Sequence, residues 1–292
     1  MESAEPLREE IISFVLDRAS RSGGFIRRED LSYPAPGGPL AVIATQQGIR
    51  NPTSMDATLS VVSVPDGPYN DRTVSGGYFH YSYRKGSIDG DNKKLRRAFE
   101  LQVPIILLLR TAPGEYVPIA PVYVVADRMA EREFLLALEE SVRFLDPNAP
   151  EGPQRRYAER VIKQRLHQAE FRGRVISAYK TRCTICRLHH GELLDAAHII
   201  SDADEAGVPE VSNGLALCKI HHAAYDKGFL GISPDYQVHI DHALLEEVDG
   251  PMLRHGLQDM HGTKLTLPPR RADRPDQDRL QERFAKFLDQ VS

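Results

Sequence analysis

Apolar residues at helical spacing open the chain. Leu7, Ile11, Ile12, Phe14, Val15 and Leu16 share one face of a 3.6-residue period, which predicts a helix over residues 7–19. After Gly23-Gly24 the pattern shortens. Apolar runs at 40–44, 57–64, 78–83, 104–109 and 117–125, bounded by Gly, Pro and Asn-Asp signals, read as strands. Helical spacing returns over 92–102 and 131–145. Tyr157, Val161, Ile162, Leu166, Phe171, Val175 and Ile176 then predict an amphipathic helix, or pair of helices, over 155–179. Beyond it, the apolar run 192–200 places His198 on or near a strand. Residues 201–212 read as an exposed connection, and 213–227 as a segment ending in a helix. A last amphipathic stretch over 276–291, through Leu280, Phe284, Phe287 and Leu288, packs within the chain or dimerises.

The 292 residues suffice for two domains, and the run Asp-Pro-Asn-Ala-Pro-Glu-Gly-Pro starting at Asp146 is a natural hinge. The expected order is a β-rich domain (1–146), a linker with a basic helical segment (147–182), and a second domain with a C-terminal helix (183–292), an α+β class overall. Net charge is −4, so the chain as a whole is not coated with basic residues. Locally the picture changes. Between Arg155 and Arg182 nine basic residues stand against Glu159 and Glu170, a net excess of seven. Such a tract is either a solvated helix face or a phosphate-following surface. The second reading would use Arg155, Arg156, Arg160, Lys163, Arg165, Arg172 and Arg174. No window of about twenty apolar residues exists, and Met-Glu-Ser-Ala-Glu-Pro at the start carries acids where a secretory signal needs cations. A cytoplasmic protein with no membrane partner is expected.

All three cysteines fall in one stretch: Cys183-Thr-Ile-Cys186, followed about thirty residues later by Cys218-Lys-Ile-His221. A Cys-x-x-Cys pair alone is equally a redox pair or two buried thiols. Joined to a Cys-x-x-His at this distance, it has the ligand types and spacing of a closed structural Zn2+ site, and disulfides are not expected. A second set is interleaved with the first: His198, Asn213, His222 and Asp226. On a helix Cys218 and His221 share one face, while His222 and Asp226, four apart, share a neighbouring one. His198 alone would be a hydrogen-bonded core histidine, and Asp226 alone a residue ending a helix before Gly228. Together the four suit hard-metal binding and proton transfer, which points to a nuclease.

With Ala-Ala-His198-Ile, Asn213-Gly-Leu and His222-Ala-Ala-Tyr-Asp226 in view, the segment from Cys183 to Ile232 resembles an HNH endonuclease domain with a ββα-metal core. The resemblance implies that His198 is the general base, that Asn213 holds the loop and the base, and that His222 and Asp226 bind Mg2+ or another divalent cation beside the scissile phosphate. Many relatives carry Asp or His immediately before the base, where this chain has Ala197. Asp195, two residues earlier and on the same side of a strand, is the candidate replacement ligand.

The densest part of the front half is Pro68-Tyr-Asn-Asp71, then Tyr78-Phe-His-Tyr81-Ser-Tyr83-Arg-Lys-Gly, then Asp91-Asn92-Lys-Lys-Leu-Arg-Arg. This order resembles the front domain of bacterial HNH proteins similar to the SET-and-RING-associated fold, a PUA-like barrel. That similarity implies restriction of double-stranded DNA carrying modified cytosine, typically 5-methylcytosine, by a reader that takes a base out of the duplex. Tyr81 or Tyr83 would stack on the base and Asp71 or Asn92 would contact its edge. The other reading of these tyrosines is a strand with one face in the core. A single HNH site cuts one strand, so cutting both would take a homodimer. Two alternatives stand beside the modification-dependent endonuclease: a modified-DNA binder with a structural HNH-like module, and an HNH nuclease acting on unmodified DNA.

Overall fold

The computed structural model describes residues 5–44, 48–64, 74–84, 90–149, 152–202, 204 and 207–291. The first helix, α1 (Glu5–Arg21), buries Arg8, Ile11, Ile12, Val15 and Ala19, the face its apolar spacing defines. Arg8 is held under the core by donating to the carbonyls of Thr58 (2.6 Å), Ala57 (3.1 Å) and Pro104 (2.9 Å). Burial pulls its pKa down to about 10.

Two units divide the chain: Met1–Ser20 with Phe25–Glu170, and Arg21–Gly24 with Phe171–Ser292. In the first, strands β1 (Ile26–Arg27), β2 (Ser32–Ala35), β3 (Gly38–Ala41), β4 (Ile49–Arg50), β5 (Ser60–Ser63), β6 (Val74–Ser75) and β7 (Tyr78–Ser82) precede helix α2 (Asn92–Leu101). Strands β8 (Ile105–Ala112), β9 (Glu115–Arg128) and β10 (Glu133–Ala137) and the short helix α3 (Glu140–Arg143) come after it. The main sheet runs β4-β5-β8-β9-β10-β7-β6, with β1 also paired to β9, and β2 and β3 form a separate hairpin. Every pair in the main sheet is antiparallel except β5 with β8, where Val61 lies opposite Leu107. Ile105 to Leu109 are buried without a break, as expected of a central strand covered on both faces.

The fold departs from two expectations. The front domain is mixed α+β, but its described strands do not close into a barrel. The order ends on β4 and β6, two-residue strands too short to offer a ladder to each other, while β9 divides its length between β8 (up to Val122) and β10 (from Tyr123). The helix expected over 131–145 is instead β10 followed by α3. Residues 134–138 are all buried, and β10 pairs on both sides, Phe134 opposite Tyr81 and also opposite Asp127. A continuous apolar run carries no period that separates a buried strand from a buried helix.

Helix α4 (Pro153–Ala178) passes through the division between the units. The second unit then builds strand β11 (Leu194–His198), strand β12 (Gly214–Cys218), helix α5 (Lys219–Asp226), strands β13 (Leu230–Ile232) and β14 (Val238–Ile240), and helices α6 (His242–Glu246), α7 (Pro251–Gly256) and α8 (Gln277–Val291). Strands β11 and β12 form an antiparallel hairpin, with Leu194 opposite Cys218 and His198 opposite Gly214. With α5 directly after it, the hairpin completes a ββα unit. Gly214 sets how closely α4 packs on this hairpin. A Cβ there would lie 2.4 Å from Val175 and 3.0 Å from the Phe171 ring, so only glycine lets the helix approach. No described helix is long and apolar enough to cross a membrane.

Candidate active site and metal centre

Cys183 and Cys186 lie on the loop after α4, where the Arg187 amide donates to the Cys183 carbonyl and the Cys183 amide to the Leu188 carbonyl, 3.0 Å each. Cys218 is the last residue of β12 and the N-cap of α5, with extended backbone (φ −72°, ψ 163°), so it meets His221 from a strand end rather than from the helix face. The four ligand atoms lie within 4.8 Å of one another. Cys186 Sγ is 3.9 Å from Cys218 Sγ, and His221 Nδ1 is 3.2 Å from Cys218 Sγ and 3.5 Å from Cys183 Sγ. A tetrahedral zinc with its usual bond lengths sets edges of about 3.8 Å between sulfurs and about 3.6 Å between sulfur and nitrogen, so the donor set fits that ion. A further observation agrees. Nε2 of His221 is 2.8 Å from the Gly256 carbonyl, a bond on the far side of the ring that leaves Nδ1 as the ligand. Burial disfavours charge on this ring, yet the Cys186 and Cys218 sulfurs outweigh it and push its pKa up to about 9.

Of the second set, His222 and Asp226 lie on the face of α5 neighbouring the one that carries His221. His198 ends β11, half-buried, its ring stacked on Phe171 at 3.9 Å and 9°. Burial lowers its pKa below the ordinary 6.5; Asp202 opposes that shift and His222 adds to it. The ring therefore stays neutral, and able to accept a proton, to lower pH than an exposed histidine. Asn213 is fully buried and committed to the chain just after His198. Its Oδ1 accepts from the Ile200 amide (2.9 Å), and its Nδ2 donates to the carbonyls of Ile200 (2.9 Å) and Val208 (3.1 Å).

His222 sits between two carboxylates, Nδ1 3.3 Å from Asp195 Oδ2 and Nε2 3.3 Å from Asp226 Oδ2. Asp195 also receives Lys219 Nζ at 2.7 Å on each oxygen and Arg172 Nη1 at 2.6 Å. Burial alone would raise its pKa, but Lys219, His222 and Arg172 outweigh that and keep the carboxylate low. Lys219 and Phe171 carry no mark of a role here in the linear pattern. Lys219 stands one turn before His222, which hints at a shared helix face, whereas Phe171 reads only as one more apolar position on α4.

The remaining candidates are placed elsewhere. On the first-unit part of α4, Arg155 donates to the carbonyls of Gly76 and Ala149, 2.7 Å each. Lys163 pairs with Glu159 and Arg165 with Glu139, each at 2.5 Å. Arg156 and Arg160 are exposed, Arg174 half-buried. Of the base-pocket candidates, Tyr81 is buried with its hydroxyl donating to the Gly48 carbonyl (3.0 Å) and the Arg84 guanidinium 4.1 Å over its ring. Tyr83 is buried against Phe134 and donates to Asp127, which Arg96 also holds at 2.5 Å. Asn92 is buried, accepting from the Arg84 amide at 3.1 Å. All three thus have structural partners in this conformation, and Asp71 lies outside the described residues.

The ββα unit thus carries a Cys183–Cys186–Cys218–His221 group that could hold a metal ion, a half-buried His198 at the end of β11, and His222 between Asp195 and Asp226. Residues 183–233 match the family described as HNH endonuclease, and form such a domain. Among solved structures, the chain is similar to one titled "Modification dependent TagI restriction endonuclease", at 20% identity and a TM-score of 0.31, covering 83% of this chain and 86% of that one. It is also similar to "Structure of the Type IV phosphorothioation-dependent restriction endonuclease ScoMcrA", at 14% identity and a TM-score of 0.22, covering 84% of this chain and 57% of that one. No curated protein matches the chain.

Proposed function

We propose that the chain is a divalent-metal-dependent DNA endonuclease whose second unit hydrolyses phosphodiesters and whose first unit reads DNA carrying modified cytosine. The observation that carries the nuclease reading is the placement of a half-buried His198, stacked on Phe171 at the end of β11, in one ββα unit with the His222–Asp226 pair of α5. His198 accepts a proton from a water as that water's oxygen bonds to phosphorus and the P–O bond to the departing sugar oxygen breaks. Asn213 holds the chain after β11, and with it the height of His198 above the hairpin. His222 and Asp226 would hold the cation, which when bound supplies charge stabilisation to the scissile phosphate and the departing oxygen. Zn2+ on Cys183, Cys186, Cys218 and His221 would be structural. Arg156 and Arg160, exposed on α4, suit contact with a DNA backbone.

The modified-cytosine specificity rests on the front-half resemblance alone. It is tested by incubating the protein with 5-methylcytosine-containing, phosphorothioated and unmodified plasmid, each with and without Mg2+ or Mn2+. Cleavage of the methylated plasmid only, and only with the cation, is the expected result. Cleavage of unmodified plasmid would make the first unit an adaptor for sequence or partner. Tight binding without cleavage would support the rival reading of a non-cutting reader, which Ala197 in the usual ligand position favours.

A further inference from the structure

We propose that Asp195 is a positioning residue that accepts the Nδ1 proton of His222. It thereby turns the Nε2 lone pair, together with the Asp226 carboxylate, toward a divalent cation that Asp195 itself does not touch. The proposal deepens the nuclease reading, on which it rests for the cation's use.

A neutral imidazole has one N–H, so of the two 3.3 Å contacts of His222 only one is a donated hydrogen bond. The other sets a nitrogen lone pair against a carboxylate oxygen, an arrangement that a cation relieves. The neighbours decide which is which. A carboxylate offers about four lone-pair sites. On Asp195 three are taken by permanent donors, Oδ1 by Arg172 and Lys219 and Oδ2 by Lys219, and His222 Nδ1 stands 3.3 Å from Oδ2 where the fourth donor belongs. Arg172 comes from α4 and Lys219 from α5, so two permanent cations on different elements fix the carboxylate in place, and Arg172 is itself anchored at 3.3 Å to the Gly191 carbonyl. Moving Asp195 onto a metal would strip charge-assisted bonds from both. Asp226 is the opposite case. Its side chain is 57% exposed at the end of α5, against 21% for Asp195.

The geometry is therefore that of a histidine whose far nitrogen is held by a carboxylate, the usual support of a ligating imidazole. The 3.3 Å between Nε2 and Asp226 Oδ2 is close to the edge of about 3 Å between neighbouring ligands of an octahedral ion. Ala197 brings no ligand of its own. Asp195, two residues back along β11, contributes orientation instead.

The test is the His222 tautomer, read by two-bond proton–nitrogen correlation NMR on protein with 15N-labelled histidine, zinc-loaded, without added Mg2+ and at a pH where the ring is neutral. The expected wild-type signal is the Nδ1–H tautomer. Asp195→Ala should shift it toward Nε2–H and weaken Mn2+ binding, followed by paramagnetic relaxation, by roughly 10–100-fold, with one zinc per chain retained. An Nε2–H tautomer in the wild type overturns the proposal, and needs no variant to fold. So does an Asp195→Ala protein with the wild-type tautomer or with unchanged Mn2+ affinity. If the tautomer results hold but wild-type protein cuts no plasmid with any cation, the nuclease reading falls and the positioning role stands.

Discussion

His221 and His222 are neighbours in the chain and opposites in the fold. His221 is 2% exposed and meets three sulfurs, whereas the His222 side chain is 27% exposed and meets two carboxylates. One face of α5 closes a centre with soft donors and no open position, the arrangement of a structural ion. The other keeps His222 and Asp226 partly exposed, the donor pair that the proposed function assigns to a divalent cation. The hairpin and α5 bury Leu194, Ala197, Leu215, Leu217 and Tyr225, and an ion in the closed centre would tie the start of α5 to the loop that carries Cys183 and Cys186.

Breaking the closed side should have the largest effect. Cys183→Ala removes a buried ligand, and loss of the ion should cost on the order of 10 kcal/mol. The second unit is expected to lose protection against proteolysis and one zinc per chain by metal analysis, and cleavage should go with them. Breaking the open side should leave the fold intact. His198→Ala is expected to lower cleavage by roughly 10²–10⁴-fold while thermal stability, zinc content and DNA affinity hold. A wild-type rate in that variant would remove His198 from the base role.

Asn213→Ala sits between the two. It leaves the Ile200 amide and the carbonyls of Ile200 and Val208 without their side-chain partner, for a loss of about 3 kcal/mol by denaturant titration. Cleavage should fall with zinc retained.

The smallest effect is a shift in pH profile. His198 has a folded pKa below its unfolded 6.5, so the unfolded chain binds the extra proton first, and stability from this group falls as pH drops below 6.5. The same shift sets the activity. The neutral base persists below pH 6.5, and the acid limb of the cleavage profile should lie there. Phe171→Leu, which removes the stacked ring at similar volume, should move that limb back toward 6.5. An acid limb already at or above 6.5 in the wild type would show that burial of this ring does not govern its titration.

Spacing along the chain was enough to bring Cys183, Cys186, Cys218 and His221 together and to pair His222 with Asp226, because Cys-x-x-Cys, Cys-x-x-His and an i, i+4 pair are local patterns that a turn or a helix converts directly into geometry. It was also enough for α1, α2, the strands around β5, β7, β8 and β9, and α8. Only the tertiary structure decided the rest. Residues 131–145 carry apolar positions consistent with two secondary structures, and the flanking strands β7 and β9 select the extended one. Tyr81 and Tyr83 take hydroxyl partners from Gly48 and Asp127, residues that no local period connects to them. The ring under His198 comes from 27 positions away on α4, admitted by a glycine on the facing strand. Asp195 is set by Arg172 and Lys219, 23 and 24 residues off on opposite sides. Local periodicity encodes which face a residue occupies, but contacts between elements depend on how those faces pack, and so they enter only with the fold.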